Sequence, residues 1–179
     1  MRRAALALAA ASSLMLAACA GAPALDLPPG SPPLAIEQFF PGRTEGRGVF
    51  TNHLTGYTRG FNVVIAGTWE GDTLTLVEDF VYDDGVAERK RWVLRKLPDG
   101  TWTGRREDVV GEATGAQDGL LFRLAYTMDI PGEWGTFRVQ FRDAMGLTPD
   151  GTLINIANVG WLGLSIGTVE LTLQRSPGA

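Results

Sequence analysis

The sequence predicts an all-β protein, an antiparallel meander of about eight to ten strands closed into a barrel. Three observations predict it. Apolar and polar residues alternate with period two along most of the chain after Ile36. Turn signals recur between the alternating runs, at Asp83-Asp84-Gly85, Pro98-Asp99-Gly100, Pro131-Gly132 and Pro149-Asp150-Gly151. No window of a dozen residues carries a helical apolar stripe. Closure follows from edges: a meander of this many strands leaves two unpaired edges unless it joins them.

In chain order, residues 1–18 read as a signal peptide. Arg2 and Arg3 form a positive start, and Ala4–Ala11 with Leu14–Leu16 form an apolar stretch too short to cross a membrane comfortably. Leu16-Ala17-Ala18-Cys19 resembles the bacterial lipobox. That motif implies a diacylglycerol on the Cys19 sulfur, cleavage before Cys19 and an acyl chain such as palmitate on its amine. Two or three acyl chains anchor stably where one binds marginally. Ala20, rather than Asp, follows the cysteine, which favours the outer membrane with the domain in the periplasm. Removing residues 1–18 takes away two arginines and no acid, moving the formal charge from −4 to −6. An anionic domain is not drawn to an anionic membrane by charge, so the lipid must hold it there.

Residues 19–34 hold the lipidated cysteine and a segment with prolines at 23, 28, 29, 32 and 33, expected to be a semi-rigid tether. Residues 35–179 form the single barrel domain, with a short helix expected near Ala35–Phe40. Phe61, Val63, Ile65 and Trp69 share one face of a strand, as do Leu74, Leu76, Phe80 and Tyr82. Leu120, Phe122, Leu124, Tyr126, Met128 and Ile130 alternate without a break. Phe137, Val139 and Phe141 follow, and then Val169, Leu171 and Leu173. Arg138, Gln140, Arg142, Glu170 and Gln174 occupy the opposite faces, so the barrel is read as soluble rather than membrane-spanning.

Composition removes several kinds of chemistry. One cysteine allows no internal disulfide or thiolate metal cluster, and one histidine allows no multi-histidine metal site. A pI near 5 without a basic block argues against nucleic acid as the main partner. Gly163-Leu164-Ser165-Ile166-Gly167 matches G-x-S-x-G, but a nucleophile elbow needs a following helix and a later histidine. Here a strand follows, and the only histidine, His53, lies upstream. No metal or other cofactor is expected, and with no assembled nucleophile and base the expectation is that the protein is not an enzyme.

Glu78 breaks its apolar face and alternation points it inward; Asp143 continues the Phe137–Phe141 face. A buried carboxylate needs a partner or water. Arg91, one hairpin away from Glu78 and next to Trp92, is the expected partner. Structural pairing competes here with a polar anchor for a ligand head group, and Glu78, Arg91, Trp92 and Asp143 form the candidate ligand site. Trp69, Trp92 and Trp102, in consecutive strands, either line a cavity or fill the core; Trp134 and Trp161 complete the set.

Several motifs run in a fixed order: Phe39-Phe40-x-Gly42, Gly46-x-Gly48-Val49-Phe50, Phe61-x-Val63-x-Ile65-x-Gly67-x-Trp69 and Leu74-x-Leu76-x-Glu78-x-Phe80-x-Tyr82-x-Asp84-Gly85. Arg91-Trp92, Asp108-Val109-Val110-Gly111-x-Ala113-x-Gly115, and Asn155 before Gly167-x-Val169 follow. Over residues 36–175 this resembles an uncharacterised family of bacterial lipoproteins, a domain of unknown function. The resemblance implies a calycin-type, lipocalin-like barrel that binds apolar ligands, and a lipid-related role, since relatives are often encoded beside fatty-acid-modifying enzymes. The sequence departs from that pattern at Ala144-Met145 and at Gly160–Gly163.

The leading expectation is thus a lipid-anchored envelope protein carrying a fatty acid, phospholipid or similar apolar molecule, which requires a cavity of roughly 300 Å³. The rival is a structural or interaction protein with a filled barrel, which requires an exposed apolar patch. An enzyme acting on periplasmic lipid or glycan is the third reading.

Overall fold

Alternation along ten runs becomes ten strands: β1 (Gly42–Asn52), β2 (Thr58–Glu70), β3 (Thr73–Tyr82), β4 (Ala87–Lys96), β5 (Trp102–Arg105), β6 (Ala113–Asp118), β7 (Leu121–Gly132), β8 (Gly135–Leu147), β9 (Leu153–Trp161) and β10 (Leu164–Arg175). Each pairs antiparallel with its neighbours in sequence, and β1 pairs with β10 from Thr44–Arg175 to Asn52–Gly167. The sheet is therefore a closed barrel with no free edge. The computed structural model describes residues 21–132 and 135–176. The signal peptide, Cys19, Ala20 and Trp134 lie outside the described residues.

One end of the barrel is closed from within. Helix α1 (Ile36–Phe39) sits across it, and Leu34, Ile36, Phe39 and Phe40 are buried there. The Leu34 amide donates to the Leu120 carbonyl at 3.1 Å, and Lys96 on β4 pairs with Glu37 on the helix. The fit requires glycine in the wall: a Cβ at position 67 would lie 2.1 Å from the Phe40 carbonyl oxygen.

Residues 21–34 run against the barrel rather than standing clear of it. The Asn158 amide of β9 donates to the Gly21 carbonyl at 2.9 Å, and Arg123 of β7 donates to the Pro23 carbonyl. Leu27 lies over Gly146, where a Cβ would come within 2.7 Å of it. Proline removes backbone donors but leaves carbonyls, and Asn158 and Arg123 use two of those.

The wall is uneven at the other end. Strands β5 and β6 have 4 and 6 residues, while β4 and β7 beside them have 10 and 12. Residues 106–112 close that gap: Val109 bridges Met128, and the Val110 amide donates to the Thr127 carbonyl at 2.8 Å. This segment brings Asp108 and Arg106 to the interior.

Candidate functional site

The strand registers decide which side chains meet inside. Glu78 on β3 opposes Ile65 on β2 and Lys90 on β4. Directly opposed residues share a face, so Lys90 points the same way as Glu78. Arg91 opposes Val77 and Trp92 opposes Leu76. Trp92 is accordingly buried and Arg91 exposed on the outer wall. The expectation that Arg91 pairs with Glu78 is corrected here, because adjacent strand residues point to opposite faces and Arg91 cannot share the interior with Trp92.

Arg106 takes that place. The face that carries Trp102 and Gly104 inward continues, two residues on, to Arg106, whose side chain is 9% exposed. Its Nη1 lies 3.6 Å from Glu78 Oε2, its Nε donates to Asp108 Oδ1 at 2.6 Å, and its Nη2 donates to Met128 Sδ at 3.0 Å. The guanidinium also stands over the Trp92 ring, 4.7 Å from its centroid, a cation–π contact. Lys90 completes the group with a 3.0 Å ion pair to Asp108.

Asp143 on β8 is buried between Leu124 and Ala157 in register. Asn155 on β9 and Tyr126 on β7 belong to the same interior. Tyr126 stacks on Phe141, with centroids 5.0 Å apart and an interplanar angle of 2°, and meets Trp92 edge-on at 5.2 Å.

Burial dominates the electrostatics. It pushes Glu78 up to about 7, with Arg106 pulling the other way. It pushes Asp143 up to about 7 as well, against the pull of Arg106 and the Asn155 amide. Burial raises Tyr126 well above its ordinary value, and Asp143 adds to that. Asp108 moves oppositely: burial works against its charge, but Arg106 and Lys90 hold it below the usual carboxylate range. Two interior carboxyls thus change protonation near neutral pH, beside an arginine already paired to a third.

These groups face one cavity of about 140 Å³. Glu78, Trp92, Arg106, Tyr126, Asp143 and Asn155 line its polar side. Ile36, Phe40, Leu153 and Leu173 line its apolar side, toward α1. Three of the four candidate ligand residues, Glu78, Trp92 and Asp143, therefore line one space, and Arg91 does not. Trp102 is core, edge-on to Phe122 at 5.9 Å, with Trp69 packed against it. The volume is less than half the roughly 300 Å³ that carrying a whole fatty acid or phospholipid requires, so that expectation is not met by this cavity as it stands. His53 stands apart, with Nε2 2.8 Å from Thr168 Oγ1. Of Gly163–Gly167, only Gly163 precedes β10; the rest form its first residues, with a register shift between Ser165 and Gly167.

Over residues 13–175 the chain matches the family described as "Protein of unknown function (DUF3833)". The chain belongs to this family. No curated protein matches it. Among solved structures, this DUF3833 barrel is similar to the S-type phycobiliprotein lyase CPES from Guillardia theta. The TM-score is 0.56 at 11% identity, covering 82% of this chain and 95% of that one. At that identity the likeness is one of fold, a lipocalin-like barrel.

The likeness nevertheless corrects one expectation. The missing nucleophile–histidine pair was the ground for expecting no enzyme, and a lyase built on the same fold overturns that inference. The physical reason lies in the site. Carboxyls that titrate near neutrality can give or take a proton without a serine or histidine nearby.

Proposed function

We propose that the barrel binds a small apolar molecule, such as part of a fatty-acyl chain or lipid, with its polar end at Glu78, Asp143 and Arg106. One observation carries the reading: an interior cavity is apolar toward α1 and charged toward the opposite end. Its 140 Å³ is close to the roughly 150 Å³ of an engineered apolar cavity that accepts benzene. An aromatic ring or a short acyl segment fits without rearrangement, and a longer chain must leave the remainder outside. Native mass spectrometry and lipid extraction on the protein purified from its own envelope test this. A stoichiometric co-purifying molecule supports the reading. A protein that arrives empty, and then takes up neither short-chain nor long-chain acyl compounds, overturns it.

In the same reading the chain is a lipoprotein of the bacterial outer membrane, anchored through Cys19 with the barrel in the periplasm. Gly21 is held against Asn158, so two residues, at most about 7 Å of chain, link the anchor to the barrel wall. Three residues beyond Asn158, Trp161, Leu162 and Leu164 form an exposed apolar turn, with Leu162 81% accessible and Phe137 packed beside Trp161. An anchor this close favours contact between that turn and the bilayer. The turn is also what favours the second reading, an envelope protein that acts through its surface. Metabolic labelling with palmitate tests the anchor: the wild type incorporates label and Cys19→Ser does not.

A further inference from the structure

Three acceptor atoms on three strands, Glu78 Oε2 on β3, Asp143 Oδ1 on β8 and Asn155 Oδ1 on β9, are buried and receive no hydrogen bond from the described residues. All three residues line the same 140 Å³ cavity, and Asp143 is only 5% exposed. Buried acceptors left unpaired cost on the order of 1–3 kcal/mol each, so one such atom is ordinary strain but three facing one space are a pattern.

The cations nearby already face carboxylates. Arg106 directs Nε to Asp108 and Nη2 to Met128, and its Nη1, 3.6 Å from Glu78, pairs with that carboxyl by charge without hydrogen-bonding it. Lys90 is held by Asp108 and by Glu88 at 3.7 Å. An anionic ligand would therefore meet two carboxyls and, in Arg106, a cation already shared between Asp108 and Glu78. A neutral donor would satisfy hydrogen bonds but add no charge to the partial compensation that Arg106 gives Glu78 and Asp143. A cation with several N–H donors satisfies both.

We infer that the polar end of the cavity is a site for a primary ammonium group carried on a small apolar skeleton. The three hydrogens of an ammonium match the three acceptors, and the stacked Tyr126–Phe141 pair and the aliphatic wall toward α1 receive the skeleton. The inference rests on the proposed binding function and narrows its ligand class: a free fatty acid carries the wrong end group.

Protonation follows from the surroundings. Glu78 faces Arg106, Asp108, Glu107 and Lys90; Asp143 faces Arg106, Glu78, Tyr126 and the Asn155 amide. Both carboxyls sit near 7 without a ligand, and an ammonium stabilises their charged forms. Binding therefore releases protons, and affinity rises with pH from 6 to 8 while the amine itself stays charged.

The test is calorimetric titration of the full-length protein with benzylamine, benzyl alcohol and benzoate at pH 6 and pH 8. Benzylamine is expected to bind about tenfold tighter than the alcohol at pH 8, with benzoate weakest. Its affinity should rise about tenfold between the two pH values, with a heat that varies with the buffer's ionisation enthalpy. Glu78→Gln and Asp143→Asn, which keep size and polarity, should each lower amine affinity about tenfold and narrow the preference for the amine over the alcohol. The wild-type ligand series and pH profile decide the question even if a variant fails to fold. Equal or tighter binding of the alcohol or benzoate, or amine binding indifferent to pH, overturns the ammonium site while leaving a binding barrel. If none of the three binds, the ammonium site falls, and the binding barrel stands or falls separately on the uptake of acyl compounds.

Discussion

The two ends of the barrel interior are built to opposite rules. Toward α1, Leu34, Ile36, Leu74 and Leu153 are each 1% exposed or less, and the buried polar side chains there, Ser31, Thr44 and Thr148, are uncharged hydroxyls. Toward the other end, β3, β4, β7, β8 and the 106–112 segment bring Glu78, Lys90, Tyr126, Asp143, Arg106 and Asp108 into the same interior. Burying apolar surface stabilises a fold by about 25 cal/mol per Å², whereas buried charges at best break even. The first end is accounted for by stability and the second is not, which is the strongest reason to look for function there.

The largest expected effect tests the dry end. Leu74→Ala removes a fully buried side chain that does not line the cavity, and should cost about 2–5 kcal/mol in chemical denaturation. A loss below about 1 kcal/mol would show that this end also has slack and would break the contrast.

Next comes the arginine that holds the polar end together. Arg106→Met leaves Asp108 to Lys90 alone and withdraws the cation that lowers both Glu78 and Asp143. It should destabilise by about 3 kcal/mol at pH 8, where the carboxyls must ionise, and by less at pH 5, where they are protonated. Arg91→Met, on the outer wall of the same barrel, should leave stability unchanged at both pH values. Equal losses for the two variants would mean the interior assignment of Arg106 is wrong.

The pair also defines legibility. The barrel was readable because period two is imposed by the pleat itself, so Phe61–Ile65 and Val169–Leu173 declare their inner faces without help from tertiary structure. Glu78 and Asp143 were readable for the same reason, as breaks in apolar faces. Arg91 was misread because proximity along a hairpin outweighed parity: Trp92 is inward, so Arg91 is outward. The alternation Trp102, Gly104, Arg106 does carry the correct answer, but β5 ends at Arg105, and a period of two over so short a strand is a weak signal. The meeting of Glu78 with Asp143 and Asn155 across the barrel depends on closure, which no local pattern contains. The proline-rich segment misled because composition describes its stiffness but not what Asn158 and Arg123 would do with its carbonyls.

The polar end should also reverse the usual pH dependence of stability. Glu78 and Asp143 sit near 7 in the folded protein and about 4 when unfolded, so between these values the folded state holds protons that the unfolded chain has lost. Their contribution is complete below about pH 4 and disappears as pH rises through 7. Thermal unfolding of the wild type should therefore occur several degrees lower at pH 8 than at pH 5. Asp143→Asn should flatten that slope by removing one titrating group. A midpoint that rises from pH 5 to pH 8 would show that the ionised carboxyls are better compensated than Arg106 alone allows.

The smallest effect on stability is expected at the outer lip of the polar end. Leu162 and Leu164 are 81% and 62% exposed, so replacing both with serine removes almost no buried area and should shift unfolding by less than about 0.5 kcal/mol. The same change removes two exposed apolar side chains from the turn that follows Asn158, the residue that holds Gly21. If that turn rests in the bilayer, the double variant of the lipidated protein should be more accessible to protease at the 161–164 turn when bound to phospholipid vesicles. Full protection despite both serines would show that these two side chains do not hold the turn in the bilayer. Lost protection would mean that the two ends differ in a further respect: α1 closes one end from inside the chain, whereas the other end is covered from outside.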